Sequence, residues 1–282
     1  MKITVAPSAG FCFGVKRAIN LAIDSASKFD SELNTLGPII HNPQVVSQLK
    51  DKKIFPVDTV DEIKSDKVII RSHGIKSDVE NKILQKNITI IDATCPFVKR
   101  SQEYIKKAFR EGYFIIMVGD DKHPEVQSVI SFADSARYKV VNRMEELEQL
   151  KFNEKIALIS QTTQDINFYL SIICEVFKKT TKEIIVFNTI CDATKLKQEE
   201  AALLSSESDI MLVVGGYNSA NTNKLKNICK KIQNNTYHIE TEAELEYKWF
   251  KNAENIGITA GASTPDWIIE KVVEKIRSFD VL

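Results

Sequence analysis

Three of the five cysteines occupy the same kind of place in the sequence. Cys12, Cys95 and Cys191 each follow a short apolar run that we interpret as a strand, and each directly precedes a segment with a helical period. Unpaired backbone N–H groups and the helix dipole stabilise a thiolate at such a position, and the thiolate is the form that binds metal or attacks a substrate. One such cysteine in each third of the chain indicates three similar α/β units.

A metal centre accounts for the three cysteines better than the alternatives do. A catalytic nucleophile needs only one cysteine, and a disulfide would leave one over. Zinc is possible, but structural zinc sites normally use closely spaced pairs, and the chain has no Cys-X-X-Cys pair. A four-iron cluster tolerates ligands from distant segments and, with three thiolates, leaves one iron open to a substrate. The alternative is that Cys12, Cys95 and Cys191 are three separate buried thiols with no shared role.

The other two cysteines have a different setting. Cys174 and Cys229 lie in the middle of segments with a helical period. A cysteine in the middle of a helix is usually a small buried hydrophobic residue. We therefore expect both to be buried and to take no part in a metal centre.

Three of the four histidines fall in turns after predicted strands, at His41, His73 and His123. Imidazoles, hydroxyls, amides and backbone N–H groups form an array of donors that suits a diphosphate. His238 lies inside a predicted strand, and we interpret it as structural. Glu125 lies two residues beyond His123, where a carboxyl group near an anion would favour its protonated form and could donate a proton.

These turns belong to a repeated pattern of apolar runs followed by helical periods. Continuous apolar strands that alternate with helices indicate parallel sheets covered on both faces. Ligands of such sheets bind outside the carboxyl ends of the strands, which is where the polar residues lie. The six clearest runs span residues 35–41, 68–73, 114–119, 156–163, 211–216 and 256–263.

Composition narrows the class of protein. The 282 residues are 43% hydrophobic and 27% charged, so a largely disordered chain is excluded. Thirty-eight basic and 38 acidic residues give a formal net charge of zero, which disfavours a general nucleic-acid or membrane-surface binder. With no signal peptide or spanning segment recognised, we expect a cytoplasmic protein whose cysteines stay reduced unless a metal binds them.

Nine short motifs together resemble one enzyme family. In order they are GFCFGV (10–15), GPIIHNP (37–43), RSHG (71–74), DATCP (92–96), HPE (123–125), QTT (161–163), NTIC (188–191), NSAN (218–221) and TAGAS (259–263). Over essentially its whole length the chain resembles the 4-hydroxy-3-methylbut-2-enyl diphosphate reductases, which act last in the non-mevalonate isoprenoid pathway. The family reductively removes an allylic hydroxyl with two electrons and two protons, giving isopentenyl and dimethylallyl diphosphates.

The resemblance implies a trefoil of three small α/β domains, with mostly parallel sheets, around one central 4Fe-4S cluster. The three lobes would span residues 13–95, 96–190 and 191–282, with the strand in residues 1–12 completing the third. Cys12, Cys95 and Cys191 match the cluster ligands of the family. The electrons would come from a small carrier such as a ferredoxin or a flavodoxin.

The same matching assigns the residues around the substrate. The diphosphate pocket would be lined by His41, His73, His123, Thr163, Ser219, Ala220, Asn221 and Ser263. The catalytic role would fall to Glu125 in the proton path, together with His123 and Thr163. Ala220 stands where many members have a second serine, so that only its backbone N–H could serve.

Two other classes of function compete with the enzyme. An iron–sulfur sensor could use a diphosphate pocket as a ligand switch, although the sequence contains no DNA-reading element or basic patch. A cluster-free nucleotide or phosphate enzyme is the other alternative. Neither of the glycine-rich phosphate-binding signatures, G-X-X-X-X-G-K-[ST] and G-X-G-X-X-G, occurs in the sequence to support it.

Overall fold

The apolar runs of the sequence form parallel strands. The computed structural model describes residues 1–29, 32–148 and 150–279, and in these residues twelve strands form three four-stranded sheets. Every strand pairing in the sheets is parallel. The strands at Ile156–Ser160 and Ile210–Val214 are buried along their whole length, as strands covered on both faces must be. The predicted α/β class with parallel sheets is confirmed.

The strands and helices alternate along nearly the whole chain. The strands are β1 (Lys2–Val5), β2 (Leu33–Leu36), β3 (Ile54–Val57), β4 (Lys67–Ile70), β5 (Thr89–Asp92), β6 (Phe114–Val118), β7 (Tyr138–Val141), β8 (Ile156–Ser160), β9 (Ile184–Val186), β10 (Ile210–Val214), β11 (Thr236–Ile239) and β12 (Asn255–Ala260). The helices are α1 (Phe13–Phe29), α2 (Pro43–Lys50), α3 (Ser77–Gln85), α4 (Pro96–Arg110), α5 (Pro124–Ile130), α6 (Ile166–Lys179), α7 (Asp192–Ser206), α8 (Ala220–Ile232) and α9 (Asp266–Phe279).

The three sheets repeat one topology. The first sheet has the order β3-β2-β4-β5, the second β7-β6-β8-β9 and the third β11-β10-β12-β1. In each sheet the strand that precedes a candidate ligand cysteine occupies the same edge. The N-terminal strand β1 takes that edge in the third sheet, where Ile3 pairs with Ile256.

The chain divides into two compact units. Unit I contains the third sheet and comprises residues 1–16, 40–47 and 192–279, and unit II contains the other two sheets within residues 17–39 and 48–191. Residues 30–31, 149 and 280–282 of the predicted lobes lie outside the described residues. The lobe boundaries at 13–95, 96–190 and 191–282 remain a prediction.

The run at residues 35–41 is not the strand that the sequence predicts. The strand β2 ends at Leu36, because Gly37 adopts a positive φ of 70° and the following proline cannot donate a hydrogen bond to a sheet. Ile39 is nevertheless buried, and its carbonyl accepts hydrogen bonds from the N–H and the hydroxyl of Ser72. The apolar residues at the end of this run therefore belong to a buried loop and not to a strand.

The prediction for Cys174 is wrong, whereas that for Cys229 is confirmed. Cys229 is fully buried in α8, and burial raises the pKa of its thiol. Cys174 is exposed, because the inward face of α6 is formed by Tyr169, Ile172 and Val176. Helical geometry turns a residue two positions beyond Ile172 away from that face.

The helices are amphipathic rather than apolar throughout. In α9 the buried positions Ile268, Ile269, Val272 and Ile276 recur at spacings of three or four residues, and the exposed positions are all polar. Within the described part of the chain, no helix combines the length and the apolar character needed to cross a membrane.

The centre of the third sheet leaves no room for a side chain at Gly257. A Cβ atom there would meet Met211, Ser208 and Leu204 from three directions. We expect Gly257→Ala to lower the free energy of unfolding by about 1–3 kcal/mol, the usual cost of overpacking a core. Chemical denaturation measures this loss.

The double variant Gly257→Ala/Met211→Ala is the control. Deleting the thioether makes space for the new methyl group, so the double variant should lose less stability than the two single variants together. If the stability loss of the double variant equals the sum of the two single losses, Met211 does not crowd the new methyl group.

Candidate functional site

The predicted diphosphate residues occupy two repeated positions in the three sheets. His41, His123 and Ser219 each lie five residues beyond the end of the second strand in the order of their sheet, which is β2, β6 or β10. His73, Thr163 and Ser263 each lie three residues beyond the end of β4, β8 or β12. All six therefore lie in strand-to-helix turns, as expected for ligand-binding residues of parallel sheets.

The candidate ligand cysteines are held by one repeated hydrogen bond. The backbone N–H of each cysteine donates to a carbonyl two residues beyond the end of the neighbouring strand. The three bonds are Cys12 N to Ala262 O (3.2 Å), Cys95 N to Ser72 O (2.9 Å) and Cys191 N to Thr162 O (3.1 Å). None of the cysteines forms a disulfide, and these three are partly exposed.

In unit II, a contact between α5 and the turn after β4 places two histidines together. The Ser128 hydroxyl donates to the carbonyl of Ile75 over 2.9 Å. Gly74 allows this approach, since a Cβ atom there would lie 2.5 Å from the Ser128 hydroxyl. The rings of His73 and His123 consequently lie 5.3 Å apart, centre to centre, in an edge-on arrangement.

The start of α5 fixes the tautomer of His123. Nδ1 of His123 accepts a hydrogen bond from the backbone N–H of Glu125 over 3.2 Å and so caps the helix. A ring nitrogen that accepts carries no proton. With Nδ1 accepting, a neutral His123 carries its proton on Nε2 and uses that atom as a donor.

Glu125 is a buried carboxyl group, with only 2% of its surface exposed. The N–H and the hydroxyl of Thr162 donate to its two oxygens over 2.6 and 2.8 Å. Burial raises the pKa of Glu125, and it outweighs these hydrogen bonds, which act in the opposite direction. Burial therefore shifts Glu125 toward its protonated form, whereas the sequence analysis attributed that form to a nearby anion.

The neighbouring threonines have different roles. Thr162, which the sequence analysis did not single out, holds both Glu125 and the amide of Cys191. The predicted residue Thr163 accepts instead from the amide of Gln161 over 3.2 Å. The QTT motif contains all three residues, but the sequence alone does not show which hydroxyl turns toward the carboxyl group.

In unit I, the start of α8 contains buried polar groups without a partner. The Ser219 hydroxyl caps the helix by accepting from the N–H of Thr222 over 3.3 Å. Both side-chain polar atoms of Asn221 are buried and make no hydrogen bond within the described structure. Because such groups are normally satisfied, an amide left in this state indicates a place for a ligand.

Gly216 allows the backbone of His41 to come close to the same turn of unit I. A Cβ atom at Gly216 would lie 2.9 Å from the carbonyl oxygen of His41. The Ser263 hydroxyl donates to that carbonyl over 3.4 Å. Unit I thus joins His41, Ser219 and Ser263 around a turn made of small residues. Ala220 is the first residue of α8, where a backbone N–H has no partner within the helix.

His238 lies in β11, as predicted, and has a structural role. Its Nε2 lies 2.8 Å from the carbonyl oxygen of Gly215, and burial lowers the pKa of the imidazole. This contact supports the turn that precedes α8.

A buried lysine supports the turn before Cys12. The ammonium group of Lys197, on α7, donates to the carbonyls of Ser8 and Gly10, the latter over 2.9 Å. Glu200, one turn later, accepts from the N–H of Ser8 over 2.8 Å. Sequence reasoning missed Lys197 because charged residues surround it in the sequence, which is typical of a solvated helix face.

The fold and the candidate site together define a class of protein. It is an α/β protein whose strand-to-helix turns carry thiol groups suited to a metal centre and hydrogen-bond donors suited to an anion. The chain belongs to the LytB family, whose model, described as "LytB protein", matches residues 3–277. The family is iron–sulfur dependent.

Named relatives agree with this membership. The chain is 48% identical over 276 residues to the 4-hydroxy-3-methylbut-2-enyl diphosphate reductase of Syntrophotalea carbinolica, covering 98% of each chain. It is also 48% identical over 282 residues to the enzyme of that name from Caldanaerobacter subterraneus, covering 99% of this chain and 97% of the relative. These relatives are oxidoreductases.

Solved structures show the same fold. A structure described as that of (E)-4-hydroxy-3-methyl-but-2-enyl diphosphate reductase, the terminal enzyme of the non-mevalonate pathway, is 43% identical with a TM-score of 0.72, over 98% of this chain and 99% of that one. The E-1-hydroxy-2-methyl-but-2-enyl-4-diphosphate reductase of Plasmodium falciparum is 26% identical with a TM-score of 0.91, over 96% and 86%.

The Lys197 contacts predict a specific loss of order near Cys12. Lys197→Met keeps the length of the side chain but removes the donor, which leaves two carbonyls without their charged partner. We expect the free energy of unfolding to fall by about 2–3 kcal/mol and Cys12 to react faster with iodoacetamide. Denaturation and mass-spectrometric labelling measure the two effects.

Lys195→Met is the matched control, because Lys195 is exposed two residues earlier on the same helix. It should leave both quantities unchanged. Equal effects of the two substitutions would show that the Lys197 contacts do not hold the turn.

Proposed function

We propose that this chain reduces (E)-4-hydroxy-3-methylbut-2-enyl diphosphate to isopentenyl and dimethylallyl diphosphates. Two electrons and two protons enter, the allylic C–O bond breaks, and water leaves. The observation that carries the proposal is the identity of 48% over 98% of the chain with a relative that bears this name. The buried carboxyl of Glu125 and the unsatisfied amide of Asn221 support it from the structure.

We assign one 4Fe-4S cluster to Cys12, Cys95 and Cys191. The donor set fits, because thiolates are the usual ligands of iron–sulfur clusters and each of these cysteines immediately precedes a helix. When bound, a cluster with one iron free of protein ligands supplies electrons and a Lewis-acid site. Family membership supports this assignment, and the cluster type and the three-ligand set are part of the proposal.

The polar turns orient the substrate. In unit I, the hydroxyls of Ser219 and Ser263, the Asn221 amide and the backbone N–H of Ala220 offer donors to a diphosphate. In unit II, His73, His123 and Thr163 have the same task, and unit I adds His41. Such preorganised donors lower the cost of binding an anion because they are already turned toward it.

The protons come through a carboxyl group whose pKa is raised by burial. Burial favours the protonated form of Glu125, and Thr162 fixes the orientation of both oxygens. A group with a raised pKa can deliver a proton near neutral pH, where an ordinary carboxyl group is ionised. His123 and Thr163 are the other residues that we assign to catalysis.

An external one-electron carrier, a ferredoxin or a flavodoxin, supplies the electrons in this proposal. The sequence contains no glycine-rich dinucleotide fingerprint that would hold a nicotinamide. We place the reaction in the cytoplasm, where thiols remain reduced and available as ligands.

The cysteine assignment predicts a selective loss of cluster. After anaerobic reconstitution with iron and sulfide, Cys12→Ser, Cys95→Ser and Cys191→Ser should each lower the iron content and the broad thiolate-to-iron absorption band. Removal of one ligand of three weakens the site, as for other metal centres. Iron analysis and visible spectra measure the loss.

Cys174→Ser is the control, because Cys174 is exposed on α6. It should retain the iron and the band. Equal loss in all four variants would contradict the assignment. A wild-type protein that stays colourless after reconstitution would overturn the proposed function.

The proton role predicts that Glu125→Gln loses turnover but keeps cluster and substrate. The amide has the same shape but no acidic proton, so we expect a fall of about 10²–10⁴-fold in turnover, the usual contribution of a general acid. Turnover is measured with a chemical reductant, and substrate binding by the change of the visible spectrum. Near-normal turnover would remove Glu125 from the proton path.

A further inference from the structure

The helix that begins after Cys95 has a strongly basic exposed side, so the statement from the sequence that the chain has no basic patch is wrong. We call this surface the α4 basic face, formed by Lys99, Arg100, Lys106, Lys107 and Arg110. The one acidic residue of α4 is Glu103, which pairs with Lys106 over 2.7 Å. The formal net charge of the whole chain is zero, so this concentration of positive charge is local.

Further basic groups lie against the turn that holds Cys95. The guanidinium group of Arg17 donates to the carbonyls of Thr94 (3.2 Å) and Asp92 (3.4 Å). Lys99 forms an ion pair with the Asp92 carboxylate. The partly exposed thiol of Cys95 thus has basic side chains on the turn before it and on the helix after it.

The stability of α4 explains only part of this basic face. Lys107 and Arg110 lie in the last turn, where cations complement the helix dipole, but Lys99 and Arg100 lie near the start of the helix. Cations near the N-terminus of a helix oppose its dipole, and the first turn of α4 contains no acidic residue. The arrangement is also repeated in the sequence: the fourth residue after each candidate ligand cysteine is an exposed lysine, at Lys16, Lys99 and Lys195. The residue before each lysine is buried in all three cases. Each helix that follows a candidate ligand cysteine therefore has a lysine on its solvent-exposed side, close to the cysteine.

The proposed reaction requires an electron carrier that can approach the cluster. A protein-bound iron–sulfur cluster takes up electrons singly, and the carrier must approach the cluster closely enough to pass each one. The transfer moves one electron from a reduced carrier to an oxidised cluster, and no bond or proton need move with it. Positive charge beside the cysteine attracts an acidic carrier and speeds its encounter.

We propose that the α4 basic face, with Arg17, is the docking surface for a small acidic protein that carries a one-electron centre. This inference rests on the proposed function, because it assumes a reducible cluster at Cys95. The attraction acts between exposed groups and is therefore screened by salt. Positive charge alone would also attract an anionic polymer or lipid surface. A carrier protein is favoured because only it can deliver the electrons that the proposed reaction needs at the cluster beside Cys95.

The test reverses two charges that form no ion pair with any of the described residues. Arg100→Glu/Lys107→Glu changes two exposed residues of α4. With reconstituted enzyme and an acidic [2Fe–2S] ferredoxin as the probe, we expect the dissociation constant and the KM for ferredoxin to rise about tenfold or more at low salt. Binding is measured by fluorescence anisotropy without substrate, and KM by turnover.

Two controls separate docking from other effects. Lys139→Glu/Lys182→Glu changes the charge equally at exposed positions on β7 and before β9, and it should leave ferredoxin binding unchanged. With dithionite-reduced methyl viologen as the electron source, the α4 variant should turn over at the wild-type rate, which shows that fold and cluster are intact. Raising the salt concentration should weaken ferredoxin binding to the wild type and have little effect on the variant.

The outcomes distinguish the two proposals. Unchanged ferredoxin affinity and KM in the α4 variant would overturn the docking surface and leave the proposed function standing. Equal weakening by the control pair would overturn it too, because net charge alone would then explain the effect. Absence of turnover in the wild type with either electron source would instead overturn the proposed function.

Discussion

The hydrogen bond from each candidate ligand cysteine to the neighbouring strand's turn is the constraint on which the candidate site depends. In a parallel sheet the carboxyl ends of all strands meet at one edge, so a residue after an edge strand lies beside the turn of the next strand. The amides of Cys12, Cys95 and Cys191 all use this neighbour. Because the backbone is fixed there, the position of each cysteine's Cβ atom is fixed as well, which limits where its thiol can lie. Repeating this arrangement in three sheets requires only the same strand order.

The strands were predictable where burial is continuous. Ile156–Ser160 and Ile210–Val214 are apolar and flanked by polar residues, which few structures other than a covered parallel strand can accommodate. The run at 35–41 has similar hydrophobicity, yet Gly37 and Pro38 end the strand within it. Local backbone chemistry thus overrides a hydrophobic pattern that cannot by itself separate a strand from a buried loop.

The candidate site was predictable as a set of turns but not as a set of contacts. The cysteines and histidines carry recognisable chemistry, and their places after strands follow from the pattern. Lys197 could not be found in this way, because burying an ammonium group against two carbonyls depends on a partner turn almost two hundred residues away. The prediction that Cys174 is buried was wrong for a related reason. A helical period gives the spacing of the residues on one face, and only the packing of the helix decides which face is buried.

The position of β1 has a consequence for biosynthesis. This strand is translated before the other strands of the third sheet, yet among the described residues it pairs only with β12, which is translated after them. The turn that contains Cys12 obtains its hydrogen-bond acceptor from Ala262. Cys12 is therefore translated before Cys95 and Cys191 but anchored after both. Its amide cannot find this acceptor until β12 and the turn after it have been translated, while the two sheets of unit II can form earlier.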